Sequence, residues 1–185
     1  NNAAHSTANI YNPLIEAAKP VFILVNAMQQ TTSQLSTDSL INKFSLLINN
    51  FEENAEKNGA RYYAIQAAKY CLCTFVDELA VRAGWADETW SKNSLLVSFY
   101  DETWGGERFF EIIQNLKQDP DKNIDLLEFM YLCLQFGYKG KYQVLNSGEL
   151  EIDKIKRDLL ALIHSKRPDQ TADLFKHNPI ITNTI

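Results

Sequence analysis

A chain of 185 residues suits one domain, or two small halves sharing a core, and needs no disulfide staples. Its composition, 45% hydrophobic and 22% charged, is that of an ordinary soluble protein and excludes general disorder. The net charge of −5, with Lys and Arg scattered, leaves no basic stripe for nucleic acid or anionic lipid and favours a protein partner.

The opening NNAAHSTANI is polar and small, without the charged and apolar regions of a signal peptide, and residues 1–11 read as a flexible segment. Because the first residue is Asn1 rather than methionine, we expect a piece of a longer protein. Apolar residues then recur at spacings of three and four with little strict alternation, which predicts an all-α chain. Asn12 is placed to cap a first helix with Pro13 at its first position, and Pro20 is expected to kink or restart it before VFILV. The uncharged stretch from Pro20 to Thr37 is half Asn, Gln, Ser and Thr, and no run reaches the roughly 20 apolar residues of a membrane span. Asp38 is the expected cap of a second helix, in which Leu40, Phe44, Leu47 and Phe51 form one stripe and Gly59 supplies the stop.

A third helix is predicted over 60–83, closed by Gly84. It carries Cys71 and Cys73, which point about 200° apart on a helix and so cannot share a metal; with Cys133 they read as buried thiols. A polar connection, WADETWSKN, carries Trp85 and Trp90 and leads to a short helix over LLVSFY, capped by Asn93 or Ser94. Gly105 and Gly106 read as a tight corner in which one glycine takes a left-handed cap, and Glu107 complements the dipole of the next helix. After DPDKN, with Asp121 or Asn123 as cap, IDLLEFMYLCLQF is apolar almost all round and should be the most buried helix. Gly137 and Gly140 bracket what reads as an exposed YKGK loop, and a last helix covers 150–163. The tail, 167–185, reads as weakly ordered, although LFKHNPII can dock.

Chemistry is sparse. His5, His164 and His177 are the three histidines, none three residues after a glutamate, so the paired Glu-x-x-His of di-iron bundles is missing. No nucleophile elbow or zinc-binding H-E-x-x-H occurs. Gly106 is followed by Glu107 and Arg108 rather than by the Lys-Ser or Lys-Thr of a P-loop, and a glutamate there repels phosphate. Asp77, Glu78, Asp101, Glu102 and Glu107 lack the spacing of a calcium loop, so no metal or other cofactor is expected. Asp77 and Glu78 nonetheless interrupt an apolar helix, CLCTFVDELAV, and at least one must sit near the buried boundary. Two readings stay open: an internal cap or ion pair with Arg61, Arg82 or Arg108, or an acidic docking point. On the docking reading, charge reversal weakens partner binding and leaves stability nearly unchanged.

Taken together, NPLIEAAKPVF, YCLCTFVDELA, SLLVSFYDETWGGERFFEIIQNLKQDP, IDLLEFMYLCLQFGYKGKY and ELEIDKIKRDLLALI resemble the DotU/TssL family, whose Legionella-type member is IcmH. The most specific pieces are LLVSFYDETWGGERFF and LLEFMYLCLQFGYKGKY, with Trp104, Gly105, Gly106, Glu107, Gly137, Tyr138 and Gly140 as motif residues. The resemblance implies two packed three-helix bundles joined by short helices, about seven or eight helices in all, spanning 12–166. It also implies a non-enzymatic part of a bacterial type VI or type IVB secretion machine, with virulence as a family association. The domain would face the cytoplasm, carried on the inner membrane by a C-terminal helix beyond this sequence. Expected partners are an IcmF/TssM-type membrane protein, baseplate or other cytoplasmic components, and a weakly associated second copy. Asp77, Glu78, Trp85, Asp87, Glu88 and Trp90 are the candidate partner contacts. One departure is Tyr100, where many relatives carry histidine. The competing readings are a metal-binding or enzymatic bundle on the acidic cluster, and a helical adaptor with no membrane link.

Overall fold

Asn12 opens the first helix as its sequence predicts, its Oδ1 accepting from the backbone of Leu14 and Ile15 at 3.0 and 3.1 Å. The computed structural model describes residues 11–30, 36–85 and 87–168. Those residues form eight α-helices and one 3-10 turn, with no strand among them. Helices α1 (Pro13–Gln30), α2 (Thr37–Lys57) and α3 (Tyr62–Arg82) pack on one another as a first three-helix bundle. Helices α6 (Arg108–Leu116), α7 (Pro120–Gln135) and α8 (Gly148–Lys166) make the second, with α7 between its two companions. The short helices α4 (Glu88–Asn93) and α5 (Leu95–Tyr100) connect them and lie against α2 and α3.

The bundles share a core because α3 and α1 both pack on α7. Phe22 of α1 is the centre of that seam, with ring centroids 5.4 Å from Phe75, 6.1 Å from Phe129 and 4.9 Å from Phe136. Tilted and edge-on aromatic packing of this kind contributes beyond the area buried. Helix α7 buries ten of its 16 residues, as its near-continuous apolar run predicts.

Several local expectations change. Pro20 neither breaks nor restarts α1, because it lies on the exposed side, where the carbonyl it leaves unpaired can meet water. Ser36, not Asp38, caps α2, accepting from the Ser39 backbone at 3.2 Å, and Asp38 sits in the first turn. Helix α7 starts after Asp119 with Pro120 at its first position, earlier than Asp121 or Asn123. The YKGK stretch is not an exposed loop, since Tyr138 and Gly140 are both buried. The expected tail and N-terminal segment lie mostly outside the described residues, apart from Tyr11, Arg167 and Pro168.

A groove between the two bundles

Asp77 and Glu78 are neighbours on α3, so their side chains leave the helix about 100° apart and serve two different walls. Asp77 Oδ1 accepts from Trp90 Nε1 at 3.1 Å and the Leu95 backbone at 2.9 Å, and Oδ2 accepts from the Leu96 backbone at 3.0 Å. It therefore satisfies the first N–H groups of α5, while the Ser94 hydroxyl takes the Val97 N–H at 3.2 Å. Glu78 works on the other side. Its Oε1 accepts from the Gly140 backbone at 2.7 Å and Gln143 Nε2 at 2.8 Å. Its Oε2 accepts from the Lys139 backbone at 2.8 Å and from Arg82 at 2.5 Å. Burial pushes the Asp77 carboxyl up to about 6, against the pull of its three N–H donors. Burial also raises Glu78, against the backbone donors and Arg82.

Between these walls lies a groove of about 550 Å³. Its floor holds the two acids and the paired hydroxyls of Thr74 and Tyr138, 2.9 Å apart. Val81 and Trp104 stand on the rims, 57% and 54% exposed. The carboxylate oxygens are already committed, three donors to one acid and four to the other. What the groove offers a visitor is mainly apolar surface.

The double glycine builds one wall by a different device from the expected corner. The left-handed residue ending α5 is Asp101, with φ 55°, and neither Gly105 nor Gly106 has positive φ. A short polar side chain tolerates that conformation, so no glycine is needed there. The glycines are required for close approach instead. A Cβ on Gly105 would lie 2.7 Å from Thr74 Oγ1, and one on Gly106 would lie 2.9 Å from the Lys141 backbone nitrogen. Gly140 is the residue that needs left-handed freedom, with φ 51°, and it also lies against the Gly106 backbone.

The other candidate residues divide. Trp90 is buried and lines the groove, and Gly105 and Tyr138 line it too. Trp85 points away, donating from Nε1 to the Met28 carbonyl at 3.2 Å. Asp87 is the exposed cap of α4, and Glu88 pairs on the surface with Lys92 at 2.9 Å. Glu107 is exposed and makes no side-chain cap bond, and Gly137 uses its carbonyl to accept from Arg82. Sequence reasoning missed Val81 and Gln143, and it missed the buried Glu128, whose signal was an acid flanked by Leu127 and Phe129 inside IDLLEFMYLCLQF. Among the described residues, no three His, Cys, Asp or Glu side chains converge as metal ligands would.

The sequence matches the family described as type VI secretion system protein DotU over residues 13–183. The chain belongs to this family. A crystal structure of TssL from Vibrio cholerae is similar at 33% identity, covering 84% of this chain and 99% of that one, with a TM-score of 0.75. The cytoplasmic domain of TssL from Acinetobacter baumannii shares the fold at 24% identity and a TM-score of 0.77, over 84% of this chain and 99% of that one. So does SciP/TssL from enteroaggregative Escherichia coli 042, at 19% identity and a TM-score of 0.66, over 84% and 88%. No curated protein sequence matched. The family and its solved members make the all-α, DotU/TssL-type reading of the sequence secure, and they place the chain among type VI secretion components. No helix of the described residues is long and apolar enough to cross a membrane.

Proposed function

We propose that this chain is a non-enzymatic scaffold of a type VI secretion membrane complex, whose inter-bundle groove docks another protein of the machine. The observation that carries this is the groove itself: two half-exposed apolar rims, Val81 and Trp104, above a floor whose acids are saturated by internal donors. A polar visitor would lose water there and find few free partners, whereas an apolar anchor gains contact area. The acidic pair then shapes the site rather than supplying its charge. Residues 12–166 are the docking domain, facing the cytoplasm and attached to the inner membrane. The partners that fit the family are an IcmF/TssM-type protein and baseplate components, with a second copy of this chain as a weaker contact. A role in type IVB systems is the broader family alternative.

Photo-crosslinkers at Val97 and Trp104, compared with one at Lys43 on the outer face of α2, test this in cells running the system. Crosslinks to a secretion component at the groove positions but not at Lys43 are expected. Trp104→Ala should weaken capture of that component roughly tenfold or more, since truncating an interface anchor costs about 2 kcal/mol. Equal crosslinking at all three sites, or undiminished capture by the variant, would rule the groove out.

A further inference from the structure

Glu128 is completely buried on α7, and a lone carboxylate there would be costly unless paired and hydrogen-bonded. Its partners come from both ends of the described chain. Tyr11 donates its hydroxyl to Oε2 at 2.8 Å, and Arg167 donates from Nη1 to Oε1. The second arm of the same guanidinium donates to Asp125 Oδ1 at 2.7 Å, one helical turn earlier. The guanidinium carbon also sits 4.8 Å from the centroid of the Tyr11 ring, in cation–π position. The neighbouring Asn12, while capping α1, donates from Nδ2 to the Asp125 carbonyl at 3.0 Å. Only a planar fork with donors on both arms and a stacking face can make these contacts at once, so lysine could not replace Arg167.

We propose that Arg167 is a clasp. It fastens the end of α8 to the point where the chain enters α1, with Glu128 as its buried post. The start of α1, the middle of α7 and the end of α8 then move as one body. Glu128 lies about 10 Å along α7 from that helix's C-terminal end. Beyond that end Tyr138 enters the groove floor, so a displacement at the end of α8 is carried by a rigid helix towards the docking site. That last consequence rests on the docking function proposed above; the clasp itself does not.

Native-state hydrogen exchange on the full chain tests it. In Arg167→Ala, amides in the last turn of α8 and those of Leu14 and Ile15 in α1 should exchange roughly tenfold faster or more, while mid-α2 amides hold. Arg167→Lys should fail to restore both ends. Removing the stranded charge with the Arg167→Ala/Glu128→Gln pair should recover part of the stability that Arg167→Ala loses, by urea unfolding. Tyr11→Phe keeps the ring and should give a smaller change in the same two places, which guards against a variant that folds poorly. Faster exchange confined to α8, with α1 unmoved, would overturn the clasp. So would full rescue by lysine. Trp104→Ala should leave the exchange pattern untouched, so failure of the docking function and failure of the clasp are seen separately.

Discussion

Helix α7 meets acids at two levels, and backbone donors help to hold one of them while side chains hold the other. Just beyond its C-terminal end, Glu78 of α3 accepts the backbone N–H groups of Lys139 and Gly140, with Arg82 and Gln143 completing the set. In its middle, Glu128 accepts from side chains, those of Arg167 and Tyr11. Backbone donors are fixed by the path of the turn, so the Glu78 contact lasts as long as the turn does. Side-chain donors are held only by their own packing, so losing one strands the buried Glu128 charge while leaving the backbone path of α7 in place. The first arrangement builds a wall, and the second builds a fastening between distant parts of the chain.

The largest effect should come from the wall-building pair. Asp77→Lys leaves the Leu95 and Leu96 N–H groups and Trp90 Nε1 without their acceptor and forces a cation into a buried site. A loss of about 4 kcal/mol is expected, which lowers the melting temperature of a chain this size by roughly 10 °C. Glu78→Lys should act in the same direction on the other wall. Thermal unfolding checks both. A variant melting within about 2 °C of wild type would mean that the walls do not depend on these bonds. On this geometry charge reversal is expected to cost stability, so any lost partner binding has to be measured against lost fold.

The helices themselves were legible in the sequence because they follow from local periodicity and caps that lie next to the residues they cap. Asn12 and Ser94 are of this kind. The caps that were misplaced failed for local reasons too: Pro120 fixes the start of α7 more firmly than Asp121 does. What the sequence alone could not show is contact between distant segments. The donors to Asp77 lie 13 to 19 residues away, those to Glu78 mostly 61 to 65, and Tyr11 is 117 residues from Glu128. The acids advertised themselves by interrupting apolar helices, but nothing in their own neighbourhood named the partner. The groove rims were hidden for the same reason, since an exposed valine such as Val81 reads like any other residue on an apolar helix.

A smaller effect isolates the Asp77 wall by pH. Asp77 has its carboxyl raised from 3.8 to about 6 by burial, so the folded state binds its proton more tightly than the unfolded chain does. Its contribution to stability is therefore fully present below about pH 4 and is lost as pH rises through about 6. Asp77→Asn should lower the melting temperature throughout and flatten its dependence on pH in that window. Glu78 and Glu128, also raised by burial, keep the remaining slope. Calorimetric scans from pH 4 to 7 measure the difference, and an unchanged slope would remove Asp77 from the account.

The smallest effect concerns two phenols packed near α3, one with its hydroxyl satisfied and one without. Tyr138 shares a hydrogen bond with Thr74 at 2.9 Å. The Tyr100 hydroxyl is buried with no partner among the described residues, its ring set edge-on to Tyr70 at 5.1 Å. Burying an unpaired hydroxyl costs about 1–3 kcal/mol, whereas a made hydrogen bond contributes about 1 kcal/mol net. Deleting the two oxygens should therefore move stability in opposite directions. Tyr138→Phe is expected to lower the melting temperature by roughly 2–4 °C, and Tyr100→Phe to leave it unchanged or raise it by a similar amount. The ring contacts are the same before and after each change, so the sign reports the hydroxyl alone. A drop for Tyr100→Phe equal to that for Tyr138→Phe would mean that Tyr100 holds a partner of its own, such as an ordered water at the edge of α5.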